Sequence, residues 1–142
     1  MELENFADAL EALIESGAEN YGDGESIEAL HQMQTRLDSF VTEACAAFEV
    51  GEEWAAEGAK TAVSWIATRC RVARRAAKRR VRLGRTLRHL PEVAQAWRQG
   101  TIGSDQAGAI AAARRHRLYL PRRRDQSRIP AENRTFLGAR SH

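Results

Sequence analysis

Cysteine is nearly absent from this 142-residue chain, and the two present, Cys45 and Cys70, stand apart and outside any C-x-x-C pair. Such usage argues against a zinc site or a disulfide and for a reducing compartment, with both thiols expected in the core. Long apolar runs are missing as well; none approaches the roughly 18 residues of a membrane span. The N-terminus opens with Glu2 and Glu4, where a signal peptide needs positive charge, so the sequence points to the cytosol and to no membrane contact. No segment alternates with period two and none repeats another, which leaves neither strands nor a repeat architecture. P-loop, Ser-His-Asp and paired-carboxylate patterns are also lacking, and no cofactor, metal or small-molecule substrate is expected. Lysine is scarce, two residues against 20 Arg, and 25 Ala accompany them. That is the composition GC-rich codons produce, so the number of arginines alone says little about phosphate binding.

What is present is a strong charge division. Residues 1–60 hold 15 acids and two bases, formally −13, while residues 61–142 hold four acids and 20 bases, formally +16. A split of this kind points to nucleic-acid contact, or to an acidic half lying against a basic one. The length suits one domain with a single core.

Apolar residues recur at helical spacing. Leu3, Phe6, Leu10, Leu13 and Ile14 define a first helix, which the glycines of Ser16–Gly24 end. Ser26 is a candidate N-cap for a second, whose Leu30, Met33, Leu37, Val41, Ala44 and Phe48 form one stripe expected to build the core before Gly51 stops it. Trp54 falls in a loop or a short segment. Thr61 is an N-cap for a helix with Val63, Trp65 and Ile66, ending near Arg69, and Trp65 is expected to anchor the core. An Arg-rich helix from about Ala73 to Leu90 follows, with Ala76, Leu83, Leu87 and Leu90 on its apolar face and Pro91 as its boundary. Arg71, Arg75, Lys78, Arg82 and Arg85 form a separate stripe, flanked by Arg74, Arg79 and Arg88. Glu92–Gln99, closed by Gly100, and a helix capped by Ser104 complete the set. The fold class is all-α, about six helices in one compact bundle around the Arg-rich helix. Residues 1–116 form the domain, with acidic helices over 1–50. Residues 117–142, rich in Arg and Pro without an apolar period, form a disordered basic tail.

Three ordered blocks carry a resemblance. Gly58-Ala59-Lys60-Thr61-Ala62-Val63-Ser64-Trp65-Ile66-Ala67 is similar to G-A-R-S-x-x-x-W-L-A. Ala77, Val81, Leu83, Leu87, Leu90 and Pro91 fit A-x-x-x-V-x-L-x-x-x-L-x-x-L-P, and Ala96 to Ala107 resembles A-x-x-x-G-x-I-S-x-x-Q. Together they resemble an actinobacterial domain of unknown function, of a mycobacterial repeat family, that precedes HNH endonuclease modules. The motif region spans 58–116. Thr61 stands where the family has Ser, and after Arg115 the chain leaves the family's long helix for its Pro- and Arg-rich tail. The resemblance therefore implies a chain truncated before the nuclease.

An HNH site needs a general-base His, a hairpin-holding Asn and a metal-binding His. His116, Asn133 and His142 occur in that order, but the paired glycines, the apolar residues after Asn133 and the accompanying Cys or second His do not. No residue is expected to be catalytic. Glu52, Glu53 and Glu57 read as solvated helix-end charge.

The resulting expectation is a non-catalytic helical domain that binds DNA phosphates through Arg71, Arg74, Arg75, Lys78, Arg79, Arg82 and Arg85 without reading sequence. The alternative is a protein-interaction or structural module, or a relic of a truncated nuclease, self-associating through the Leu30–Phe48 stripe.

Overall fold

The computed structural model describes residues 1–119, and every regular element among them is helical. The helices are α1 (Glu2–Ser16), α2 (Gly24–Gly51), α3 (Glu53–Ala56), α4 (Ala62–Arg69), α5 (Arg74–Leu87), α6 (Pro91–Gln99) and α7 (Ser104–Tyr119), with a 3-10 turn at Ala18–Tyr21. Seven α-helices replace the six expected because Trp54 lies in its own four-residue turn, α3, anchored by its indole N–H donating to the Glu49 carbonyl. α7 carries helix past the expected boundary at residue 116, and the rest of the anticipated tail, 120–142, lies outside the described residues. No described helix is long and apolar enough to cross a membrane.

Local chemistry sets the helix ends. Thr61 caps α4, its side chain accepting from the Ser64 amide at 3.0 Å, and Gly100 closes α6 in the left-handed region at φ 76°. Asp23, not Ser26, caps α2: its carboxylate accepts from the Ser26 amide at 3.0 Å, and hydrogen bonding from Ser26 holds its carboxyl below the usual range. Pro91 begins α6 as its first residue, where the missing N–H costs nothing. Ser104 is the first helical residue of α7, not its cap, and its hydroxyl accepts the Trp97 indole N–H at 3.1 Å.

α5 is the hub, packing against α2, α4, α6 and α7. Its buried face is Ala77, Val81, Gly84 and Leu87; Ala76, expected there, is exposed. Around it lie two apolar clusters. One joins Leu87, Ala94, Trp97 and Ala107, the other Ile66, Ala77 and Val81, with Cys45, Phe48 and Trp65 packed on the second. Trp97, 1% exposed, is the large anchor of the core. Trp65, expected in that role, is only partly buried: it lies 4.6 Å from the Phe48 ring, donates to Glu57 at 2.8 Å and sits beneath the Arg69 guanidinium. Cys45 is half-buried and its thiol is pushed up by burial, whereas Cys70 is exposed rather than in the core.

The largest departure concerns α2. Its buried residues are Ser39, Thr42 and Ala46, while Met33, Leu37 and Val41 of the expected core stripe face outward, as does Phe40. The reason is the closeness of α5. A Cβ on Gly84 would stand 2.7 Å from the Ala46 Cβ and 2.8 Å from the Thr42 carbonyl oxygen. Only small side chains fit where two helix backbones approach so nearly. Toward its N-terminal half α2 is held by polar contacts instead: Gln32 and Arg36 donate to the carbonyls of Gln99 and Arg98, which end α6 without intrahelical partners.

Replacing Gly by Ala inside a helix ordinarily stabilises it by about 1 kcal/mol. Gly84→Ala should do the opposite and lower the unfolding free energy by about 1–3 kcal/mol, because the obstructing atom is backbone. Urea denaturation checks this, and a more stable variant would contradict the packing described.

Candidate nucleic-acid interface

Because Ala77, Val81 and Gly84 turn one side of α5 into the core, helical geometry directs Arg75, Lys78, Arg79 and Arg82 to the opposite, exposed side. Arg74 is the first residue of the helix and is exposed too. Arg71 is not part of the helix: it sits in the α4–α5 link with φ 57°, in the left-handed region. These six cations make no ion pair with any carboxylate among the described residues.

Arg85, the seventh candidate, is different. Its guanidinium holds Glu49 of α2 through two parallel N–H donations, a fork that matches the carboxylate. This bonding keeps the Glu49 carboxyl below its usual range and raises Arg85. Arg80, absent from the expected set, is the most deeply engaged cation: one Nη1 donates to the Asp38 carboxylate at 2.6 Å, to Thr42 Oγ1 at 2.9 Å and to the Asp38 carbonyl at 3.2 Å. Arg98 pairs with Glu43, and Arg69 with Glu57 at 3.7 Å. The acidic half thus neutralises a minority of the arginines, all on surfaces facing α2 or the α3–α4 corner.

Beside the free stripe lies an open cleft of about 530 Å³ lined by Arg82, Arg85 and Thr86 of α5 and Arg115 and His116 of α7. Arg115 donates to Thr86 Oγ1 at 3.1 Å, and Arg114 to the His89 carbonyl at 2.8 Å, which fixes α7 against α5. Sequence reasoning missed Arg115 and His116 as part of this surface; they belong to it because α7 continues helically through them. His116 was also the first residue of the HNH-like order. It sits within a helix, and its companions Asn133 and His142 lie outside the described residues.

The family described as a domain of unknown function, DUF222, matches residues 25–138. The chain belongs to this family. The match is wider than the three blocks: it takes in all but the first residue of α2 and continues beyond Arg115, where the resemblance was read as ending. Within the DUF222 region the motif residues have structural roles, Gly58 at φ 85°, Thr61 as a cap, Trp65 on Phe48 and Gly100 as a helix end. No curated protein and no solved structure matches the chain.

Linkage gives the Arg85–Glu49 pair a pH signature. A carboxyl depressed in the folded state contributes stability above its unfolded titration range, and that contribution is lost as pH falls through the folded value. The difference in unfolding free energy between wild type and Glu49→Gln should therefore shrink between about pH 7 and about pH 3. A difference that stayed constant or grew would show that the pair does not hold the carboxylate ionised.

Proposed function

We propose that this DUF222 domain is a non-catalytic module that binds nucleic-acid phosphates, duplex DNA in particular, without reading base sequence. The observation that carries the reading is the partition of α5. Its core-side cations are matched by carboxylates, while Arg71, Arg74, Arg75, Lys78, Arg79 and Arg82 are matched by none among the described residues and lie on or beside one exposed helix face. Arg115 extends this positive surface across the cleft, with His116 beside it. Guanidinium groups on a short helix suit phosphate oxygens, which position a protein on a duplex and carry no sequence information. The motif resemblance to domains that precede HNH endonuclease modules agrees with an accessory role of this kind, in which a separate module would supply the chemistry.

Binding should be electrostatic and steeply dependent on salt. Six phosphate contacts imply a log–log slope of about −5 for affinity against salt concentration. Fluorescence anisotropy with duplexes of unrelated sequence should return affinities that agree closely. Arg75→Glu with Arg82→Glu should weaken binding at low salt by at least about tenfold and reduce the slope by about 2. Absence of binding at low salt, or affinity unchanged by the double reversal, would overturn the proposal.

A further inference from the structure

Although α5 buries its apolar residues, α2 leaves most of its own uncovered. Leu30, Met33, Leu37, Phe40, Ala44 and Ala47 follow each other at spacings of three and four, the pattern of a seam that packs on another helix. All but the half-buried Leu30 are exposed, because the opposite side of α2, with Ser39, Thr42 and Ala46, is the one that meets α5. α1 shows the same seam in Leu3, Phe6, Leu10 and Leu13; none of its residues is buried, and its main packing among the described residues is on the 3-10 turn.

The make-up of the α2 seam specifies its partner. Large residues occupy its N-terminal part and alanines its C-terminal part. Antiparallel pairing of two copies about a two-fold axis places Leu30 opposite Ala47 and Met33 opposite Ala44, with Leu37 opposite Phe40 at the centre. Each layer then joins a bulky residue to a small one or fills the middle, as interdigitated packing requires. The positions beside the seam are mostly uncharged and offer little to select a charged partner. Ala29, Gln34, Val41 and Val50 are neutral, Glu43 is paired with the Arg98 guanidinium of α6, and Arg36 is turned onto the Arg98 backbone carbonyl. Four of the five acids of α1, Glu4, Asp8, Glu11 and Glu15, fall away from its seam.

The area is adequate. Ile27, Met33, Leu37, Phe40, Val41 and Val50 are exposed by 38% to 65%. That corresponds to on the order of 600 Å², at the top of what a monomer leaves in one apolar patch and most of the ~800 Å² each partner contributes to a stable interface. The exposed side chains of α1 can supply the remainder. We infer that the outward face of α2 is a homodimer interface, in which the α2 helices of two copies pair antiparallel through this seam.

Sedimentation equilibrium or light scattering on the full chain tests the inference. Wild type should show twice the 15.9 kDa chain mass. Leu37→Glu with Phe40→Glu should return the mass to that of one chain while far-UV circular dichroism stays unchanged, since neither side chain belongs to the core clusters. Arg75→Glu with Arg82→Glu should leave the dimer intact, which separates this interface from the nucleic-acid surface. A monomeric wild type would overturn the inference, whether the seam is then covered by this chain's own residues or reserved for a different protein. So would a dimer that survives the α2 substitutions.

Discussion

The close passage of α5 over α2 at Gly84 is the contact on which the arrangement depends. With no side chain at that position, the α5 backbone comes near the Thr42 carbonyl and the Ala46 methyl, and Ala77 and Val81 follow into the core. The same approach brings Arg80 within reach of Asp38 and Thr42, and Arg85 within reach of Glu49. A guanidinium at a helix–helix boundary loses water on one side, and a carboxylate, a hydroxyl and a carbonyl oxygen on α2 replace it. Three acceptors converge on the one Arg80 nitrogen, so the contact fixes orientation as well as distance.

Orientation in turn determines where the remaining charge goes. Four ion pairs tie the acidic and basic parts of the chain together among the described residues, a small fraction of the charge either part carries. α1, which holds five acids and no base, stands away from the Arg-rich helix. The positive field of α5 is therefore left on the face opposite α2, next to the cleft that Arg115 and His116 complete. One helix thereby serves two ends: its inner cations lock the bundle, and its outer cations stay available to phosphate.

Helix positions were legible in the sequence because period, glycine breaks and caps agree at Thr61, Pro91 and Gly100. Facing was less so. On α2 the stripe of Met33, Leu37, Phe40 and Val41 outweighs Ser39, Thr42 and Ala46 in hydrophobicity, yet the smaller residues are buried since a close helix crossing selects for size before apolarity. On α5 the buried alanine is Ala77 and not Ala76, two identical side chains that only the direction of packing tells apart. Nothing local distinguishes Arg80 from Arg79 either; their separate fates arise from Asp38, 42 positions away from Arg80 in the chain. The Ser104 hydroxyl satisfies the Trp97 indole inside the core, while that of Trp65 reaches the exposed Glu57, partners that only the fold brings together.

The adjacent pair Arg79 and Arg80 puts the division of α5 to its most direct test. Each would be replaced by Gln, and both the unfolding free energy and the affinity of the folded protein for duplex DNA at low salt would be measured. A crossed result is expected: Arg80→Gln loses about 1–2 kcal/mol of stability and keeps its affinity, while Arg79→Gln keeps its stability and loses affinity. Equal effects of the two substitutions on both quantities would contradict it.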